Sequence, residues 1–486
     1  MATTTTTRPP AAPDGERPMK RQLGLWMATA LVVGNMVGSG IFLLPASMAG
    51  EAGPVSVVAM ALTGIGAMML ALVFATLGRA YPATGGPYAY TRKAFGDFAG
   101  FLTAWGYWIA AWVGNAAIAI AFVGYLGVYW GKVESSSLTA MLVAVGLIWL
   151  LTLVNVLGAR ESGWVQLVTT ILKFVPLAVI GIVGLFWMTG DNLTPFAPES
   201  GGDWHINAAA TLALWAFIGL ESATIPAAEV KDAERTIPRA TILGTALSTV
   251  LYIVALVSIM GILSREALAE SGSPFADAAD AMWGGTFLGM SWGKWIALVA
   301  MISTFGALNG WILLQGRVPL AAARDGLFPK QFARVSGKRG TPVVAIVVSS
   351  ALLTGLILLN YSEQKTLVDL FTDIILLATL TTLVPYAWSA AAQVQLFFQN
   401  RELFSRAHFV RDTIVAALAF AYSAWAIWGS GTEVIAKGFM LLTAGIPVFV
   451  WMKWRQSREP VVPVPATTNG AAPVRREEPR VTVGVR

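Results

Sequence analysis

The feature that most constrains this chain is a series of long apolar stretches that fills most of its 486 residues. A helix needs about 20 mostly apolar residues to cross the hydrocarbon of a bilayer. None of the stretches shows the short polar–apolar alternation of an outer-membrane barrel. The sequence therefore predicts an all-α polytopic membrane protein. Twelve transmembrane helices are predicted, at 23–48, 54–79, 98–130, 138–158, 163–188, 207–229, 240–263, 292–322, 342–360, 366–397, 412–430 and 434–453.

The composition excludes several other classes of protein. Hydrophobic residues make up 56% of the chain and charged residues 12%, whereas a soluble domain carries about 25% charged residues. With no cysteine and only two histidines, the chain offers no disulfide framework and no cysteine or histidine metal cluster. It also lacks a Walker loop, a zinc-protease motif and a serine-hydrolase elbow. We therefore expect no metal, no cofactor and no enzymatic activity.

The basic residues predict the orientation of the chain. If the N-terminus is cytoplasmic, 27 of the 33 Lys and Arg residues fall on the cytoplasmic side and 5 outside, with Lys173 left in the fifth span. Cytoplasmic loops of membrane proteins collect Lys and Arg. The protein is therefore predicted to be a multi-pass protein of a bacterial-type inner (plasma) membrane, with both termini on the cytoplasmic side. The net charge of +6 then needs no nucleic-acid partner.

The first span contains an interruption. Gly38, Ser39 and Gly40 are predicted to form an unwound turn, because glycine accepts unusual dihedral angles and lets a ligand approach the backbone. A new helix would start near Ile41, and its free N–H groups would suit a substrate carboxylate. Alternatively, Gly34 and Gly38 form a Gly-x-x-x-Gly helix-packing motif.

The sixth span carries a second interruption, where Gly219 precedes Glu221 and Pro226. An ionisable group at mid-span costs about 2.5–3.5 kcal/mol, so it normally faces a cavity or a partner; the alternative is a static brace. Broken helices at matching positions of two repeats indicate a transporter binding site. The predicted units are a disordered cytoplasmic N-terminal tail (1–22), a first inverted repeat (23–188), a second inverted repeat (207–397), two further helices (412–453) and a disordered cytoplasmic C-terminal tail (454–486).

Seven motifs in register extend this interpretation over nearly all of 22–453. They are GNMVGSGIFLLP (34–45), GGPYAYTRKAFG (85–96), YWIAAWVGNAAIAI (107–120), LWAFIGLESA (214–223), NGWILLQGR (309–317), AARDGLFP (322–329) and TTLVPY (381–386). The sequence resembles the amino acid–polyamine–organocation (APC) superfamily, particularly its arginine/agmatine antiporters and putrescine–ornithine exchangers. The resemblance implies a LeuT-type fold of five plus five helices with helices 1 and 6 discontinuous, followed by two more. It also implies alternating access, amino acid or amine substrates and, in many members, a homodimer.

The resemblance further implies four groups of site residues. The backbone turn that holds the substrate carboxylate corresponds to Gly38, Ser39, Gly40 and Ile41. The substrate amine and an adjacent gate correspond to Met36, Trp215, Ile218 and Gly219. Recognition of the substrate side chain corresponds to Ala110, Ala111, Asn115, Trp311 and Ala378. Gating and proton coupling correspond to Tyr107, Glu221, Lys173 and Tyr386, with Tyr107 and Glu221 as an outer gating pair and Tyr386 at another constriction.

Two of these residues have alternative roles. Tryptophan is the best aromatic face for a cation, and the position of Trp311 after Gly310, in a helix that also holds Asn309, favours the cavity; the alternative is an ordinary packing or lipid-facing residue among 19 tryptophans. Lys173 resembles a family lysine whose ammonium replaces the sodium ion of sodium-driven relatives. Burial can lower a lysine pKa by several units, so Lys173 is either a proton carrier or a static cation.

The substrate stays open at this point. The pocket is expected to be more apolar than in the antiporters, because Met36, Ala111, Ala216 and Ala378 replace Ile, Cys, Ser and Ser. The sequence is compatible with exchange of a cationic amino acid for its decarboxylated amine. It is also compatible with proton-coupled, sodium-independent uptake of neutral or broad-range amino acids. A transporter-like channel or sensor is the remote alternative.

Overall fold

The structure is a computed structural model that is almost entirely helical. It describes residues 23–82, 85–157, 173–174, 177–197, 205–336, 341–361, 365–404 and 406–458. The helices are α1 (Leu25–Met36), α2 (Ser39–Glu51), α3 (Ser56–Ala80), α4 (Pro87–Phe95), α5 (Asp97–Gly127), α6 (Lys132–Ser135), α7 (Ser137–Val156), α8 (177–184), α9 (Ile206–Trp215), α10 (Ala233–Ile262), α11 (Arg265–Glu270), α12 (Pro274–Trp283), α13 (Trp292–Arg324), α14 (Val343–Tyr361), α15 (Leu367–Gln399), α16 (Phe409–Gly429), α17 (Thr432–Thr443) and α18 (Gly445–Ser457).

Ten stretches of the described chain are helical, long and apolar enough to cross a membrane. They correspond to ten of the twelve predicted spans, which confirms the all-α class but not the count of twelve. The predicted fifth span falls partly on 163–172, outside the described residues. The predicted sixth span is represented by α9, which has 10 residues and is too short to cross the bilayer alone. The predicted tails at 1–22 and 459–486 also lie outside the described part, and the division into two repeats stays a prediction.

The first span is broken, as predicted, but two residues earlier than expected. α1 ends at Met36, Val37 and Gly38 form a bend, and α2 begins at Ser39 rather than near Ile41. The Gly38 N–H donates to the carbonyl oxygen of Met36 at 2.8 Å, which turns the chain out of the helical path. The non-helical backbone therefore ends at Gly38, whose ψ is −129°, and Ser39 already belongs to the second helix.

The second interruption follows α9. From Ala216 to Thr224 the backbone makes successive turns in which the N–H of residue i+3 donates to the carbonyl oxygen of residue i. An example is the bond from the Leu220 N–H to the Phe217 carbonyl oxygen at 3.2 Å. Gly219 has a φ of +111°, which side-chain-bearing residues rarely adopt. A Cβ there would also lie 3.1 Å from the Asn35 carbonyl carbon. The glycine therefore permits both the turn and a close approach to the end of α1.

α5 forms the centre of the bundle. It packs against α13 and α15, and 25 of its 31 residues are buried, so only a few positions face outward. Its small residues, including Gly106 and Gly114, allow neighbouring helices to approach closely. The only described strands are two-residue segments, β1 (Thr286–Phe287) and β2 (Met290–Ser291), which pair antiparallel in a short hairpin.

The ends of several helices meet on the face that also carries Leu23. The Gly85 N–H, just before α4, donates to the Ile225 carbonyl oxygen, and Ile225 lies five residues before Val230, which pairs with Leu23. There Arg92 contacts the carboxylates of Asp97 at 2.9 Å and Asp325 at 2.8 Å, and Lys453 pairs with Asp97. Tyr88 also donates to Asp325 at 2.6 Å. Burial and the neighbouring Asp325 carboxylate raise the pKa of Tyr88 above its ordinary value, so the phenol stays a donor. These contacts hold α4, α5, α13 and α18 together at this face.

The chain next to the second break is attached to the N-terminal end of α1. Leu23 and Val230 form a parallel bridge, with the Leu23 N–H donating to Glu229 at 3.1 Å and the Lys231 N–H donating to Leu23 at 2.9 Å. We call the surface that carries Leu23 and this bridge the termini face.

Candidate functional site

A cavity lies between the two broken stretches. On one side it is bounded by Asn35, Met36, Gly38 and Gly40, which belong to the first break and its flanking helices. A Cβ on Gly40 would lie 2.9 Å from the Ala216 Cα, so a larger residue would force the two breaks apart. The start of α2 therefore faces the cavity with N–H groups that have no partner within the helix.

α5 supplies another wall. Ala111, Gly114 and Ile118 line the cavity at the spacing of one helical face. A Cβ on Gly114 would lie 2.6 Å from the Trp215 indole, so the absence of a side chain makes room for the ring. Ala110 also lines the cavity. The small residues on α5 thus leave space for the cavity and for the Trp215 ring.

Aromatic rings supply much of the remaining surface. Trp215 and Ile218 come from the second break, Trp311 from α13, and Tyr107 from α5. None of the described residues that line the cavity carries a formal charge. A cation in this cavity would therefore meet aromatic faces rather than a carboxylate, and such contacts are worth about 2 kcal/mol or more when desolvated.

One carboxylate binds two tyrosines next to the cavity. Tyr107 donates its hydroxyl to Oε1 of Glu221, and Tyr386 donates to Oε2 of the same side chain. The Gly219 N–H also donates to Oε2 at 3.2 Å. Glu221 and Tyr386 are fully buried. This Tyr107–Glu221–Tyr386 cluster satisfies a buried carboxylate with three donors and links α5, α15 and the second break.

The arrangement corrects the expected gate in two respects. Tyr386 does not form a separate constriction, because it shares the Glu221 carboxylate with Tyr107. If both termini are cytoplasmic, as predicted, the pair lies on the inner rather than the outer side of the cavity. Tyr107 lies nearer than Ala111 to the Asp97 end of α5, and the chain after Glu221 leads to Val230 on the termini face. The cluster therefore lies between the cavity and the face predicted to be cytoplasmic.

Several predicted residues do not line the cavity. Ile41, Gly219 and Ala378 lie behind its wall, and the Ala378 carbonyl accepts from the cavity-lining Thr382 at 2.9 Å. Asn115 is fully buried and donates from Nδ2 to Oε1 of Gln315 at 2.8 Å. The side chain of Ser39 lies outside the described part of the chain.

Lys173 is buried next to the first break, away from the cavity lining. Its Nζ donates to the Gly34 carbonyl oxygen at 3.5 Å, and Nζ lies 3.8 Å from the position of a Cβ built on Gly306. The ammonium therefore lies between α1 and α13. In terms of the predicted spans, the ammonium therefore lies between the first and the eighth.

The fold also brings to the cavity some residues that the sequence patterns do not single out. Asn35, Gly114, Ile118 and Thr382 line it, and Gln315 binds Asn115. Gly114 and Ile118 could have been found from Ala111, since they follow it at i+3 and i+7 on one helical face. Asn35 could not, because its role depends on a hydrogen bond to Ser222, 187 residues away.

Comparison with known proteins identifies the class. The family model for amino acid permeases matches residues 23–451, so the chain belongs to the amino acid permease family. The chain is 31% identical over 451 residues to the arginine/ornithine antiporter of Pseudomonas aeruginosa, covering 89% of this chain and 91% of that one. The predicted resemblance to the APC superfamily is thereby confirmed at the level of the family.

Two shorter similarities come from Escherichia coli K12. The chain is 38% identical to the cadaverine/lysine antiporter over 269 residues, and this match covers 54% of the chain but only 59% of that relative. The putrescine transporter is 34% identical over 267 residues, with 54% of the chain and 60% of the relative covered. The crystal structure of the Eremococcus coleocola manganese transporter has a TM-score of 0.58 at 12% identity, covering 89% of this chain and 95% of that one. That likeness supports the fold alone.

Proposed function

We propose that the protein is a secondary active transporter that exchanges a cationic amino acid for its decarboxylated amine by alternating access. The observation that carries this proposal is the uncharged, aromatic cavity between the two broken helices of an amino acid permease. Relatives named for cadaverine/lysine, arginine/ornithine and putrescine transport support a cationic substrate.

The proposed binding pose follows from the walls of the cavity. The substrate carboxylate would lie at the Gly38–Ile41 turn, where a helix N-terminus favours an anion. The substrate amine would lie near Trp215 and Ile218, and its cationic side chain would extend toward Trp311 and the α5 wall. This pose uses the helix dipole for the negative group and aromatic faces for the positive one.

We assign the Tyr107–Glu221–Tyr386 cluster to the gate on the termini face. Release of substrate toward that face would require the hydrogen bonds to Glu221 to break, because the cluster lies between the cavity and the Leu23–Val230 bridge. With both termini in the cytoplasm of an inner-membrane protein, as the basic residues predict, this is the inner gate. A homodimer in the lipid bilayer remains part of the proposal.

Exchange is tested with purified protein in proteoliposomes. Radiolabelled arginine or lysine is added outside vesicles that are either empty or preloaded with arginine, lysine, agmatine, cadaverine or putrescine. Exchange predicts rapid uptake only into preloaded vesicles. Uptake into empty vesicles at the same rate would refute obligatory exchange.

Proton-coupled uptake is the second candidate, and the buried Lys173 favours it. An inward proton gradient without internal substrate then drives accumulation of neutral or broad-range amino acids. The gradient experiment uses leucine and arginine in parallel empty vesicles, with an ionophore that collapses the gradient as the control. Accumulation that needs the gradient but no internal substrate would select this mechanism over exchange.

A further inference from the structure

The side chain of Gln315, which does not line the cavity, is hydrogen-bonded to the Asn115 amide on α5. Asn115 follows Gly114 and lies on the same helical face as the cavity-lining Ala111 and Ile118. Its Nδ2 donates to Oε1 of Gln315 at 2.8 Å. Its own Oδ1 is buried and has no hydrogen-bond partner among the described residues. The amide therefore has its donor engaged and its acceptor left over.

Gln315 is itself held at its other end. Its Nε2 donates to the Ser350 hydroxyl at 3.0 Å, and Ser350 is hydrogen-bonded to Thr152 at 2.7 Å. Gln315 and Ser350 are fully buried, so no bulk water competes for these bonds. The chain of bonds runs from α7 through α14 and α13 to α5. It presents the carbonyl oxygen of Gln315, rather than its NH₂ group, to Asn115.

The unpaired oxygen has a chemical consequence. A buried acceptor without a partner costs free energy, and a ligand N–H donor removes that cost. Trp311 lines the cavity one helical turn before Gln315, so the aromatic face and the amide pair lie on the same side of α13. Asn115 itself does not line the cavity, so a guanidinium or ammonium group that uses the ring face would donate to this oxygen as well only once the wall beside Gly114 opens. A group that presents an acceptor there meets another acceptor.

We infer that Gln315 is a positioning residue that sets the orientation of the Asn115 amide and so selects a cationic over a neutral substrate side chain. This inference rests on the proposed function. It adds that discrimination depends on a side chain that does not line the cavity. Citrulline is the matched probe for arginine, because it has nearly the same shape but carries an acceptor oxygen in place of one guanidinium nitrogen.

The test measures binding of arginine and citrulline to the purified full-length protein. Gln315→Met removes the acceptor for Asn115 Nδ2 while keeping a similar side-chain length. We expect the arginine-to-citrulline affinity ratio to fall about tenfold or more, because the Asn115 amide can then rotate and offer its NH₂ to citrulline. Gln315→Glu keeps an acceptor oxygen and should retain the preference for arginine.

A serine pair gives milder variants in case Gln315→Met does not fold. Ser350→Ala removes the side-chain partner of Gln315, so the ratio should fall partway. Ser349→Ala is the matched control, because Ser349 contacts the Gln315 backbone oxygen at 3.4 Å rather than its amide group. Its ratio should stay within about twofold of the wild-type value.

The outcomes separate this inference from the function on which it rests. If the wild-type protein prefers arginine but folded Gln315→Met and Ser350→Ala lose arginine and citrulline affinity equally, Gln315 is only a structural brace and the inference is overturned. If the wild-type protein shows no preference for arginine, the cationic-substrate proposal fails and the inference fails with it.

Discussion

Asn35 donates from its side-chain amide to the Ser222 hydroxyl at 2.8 Å, which ties the last turn of α1 to the second break. The approach is close because Gly219 has no side chain. The two interrupted stretches are therefore joined directly at the cavity, and a change in one of them reaches the other through a single polar contact.

This junction predicts that Gly219 is sensitive to the smallest substitution. Gly219→Ala places a Cβ 3.1 Å from the Asn35 backbone at a φ of +111°, so both contact and strain oppose it. We expect a loss of more than about 1 kcal/mol in stability, measured as a lower Tm in detergent. Gly355→Ala is the control, because a Cβ there meets nothing within 4 Å in a helix. Equal Tm values for the two variants would contradict the prediction.

Glu221→Gln should slow exchange while leaving the protein folded. Glutamine has one acceptor oxygen and one NH₂ group, so one of the two tyrosine hydroxyls that now donate to the carboxylate loses the acceptor for its proton. We expect turnover in proteoliposomes to fall about tenfold, since charged hydrogen bonds contribute about 1.5–3 kcal/mol each. Tyr386→Phe and Tyr107→Phe remove one donor each and should have smaller effects.

A second glutamate gives the matching control for this prediction. Exposed Glu402 is suited to the same charge-neutralising change, and Glu402→Gln should leave turnover unaltered. Turnover and its pH profile that stay at wild-type values in Glu221→Gln would show that Glu221 is a static brace.

Trp311→Leu should discriminate between substrates by charge. Loss of a desolvated cation–π contact of about 2 kcal/mol corresponds to a roughly 30-fold weaker affinity for arginine or lysine. Leucine-like substrates should lose much less, because they use the ring only as an apolar surface. Trp428→Leu is the matched control, since Trp428 is 72% exposed on the outside of the bundle. Equal losses for both substrate classes in Trp311→Leu would refute the cationic assignment.

Lys173 variants should distinguish a static cation from a proton carrier. Lys173→Ala removes the ammonium that contacts the Gly34 carbonyl and should lower transport at least about tenfold. Lys173→Arg keeps a charge that does not deprotonate in proteins. If Arg sustains transport with unchanged pH dependence, the ammonium is static; if transport survives but loses its pH dependence, Lys173 carries a proton. Wild-type kinetics in Lys173→Ala would refute both roles.

The sequence predicts the broken helices because local chemistry produces them. Gly38 and Gly219 permit backbone turns that helices exclude, and a buried Glu221 requires nearby donors. The family resemblance names Met36, Trp215 and Trp311, and all three line the cavity. The resemblance also named Tyr386, but only the fold brings its hydroxyl to the same carboxylate as Tyr107, 279 positions earlier in the chain.

The amide pair marks the limit of this approach. The periodicity of α5 places Asn115 on the cavity face, but it does not say which end of the amide is free. That depends on Gln315, which contacts it from 200 residues away. Glutamine near the end of an apolar stretch has no local pattern that separates it from an ordinary packing residue. Only the packing of α13 against α5 and α14 reveals its role.

The parallel bridge between Leu23 and Val230 has a practical consequence for measuring motion. Backbone hydrogen bonds connect Leu23, just before α1, to the segment after the second break. A displacement of α1 therefore pulls directly on that segment. Because the sequence has no cysteine, a single thiol introduced next to Val230 can carry a spectroscopic label without background. Such a label would report the movement of both broken helices as one mechanical unit.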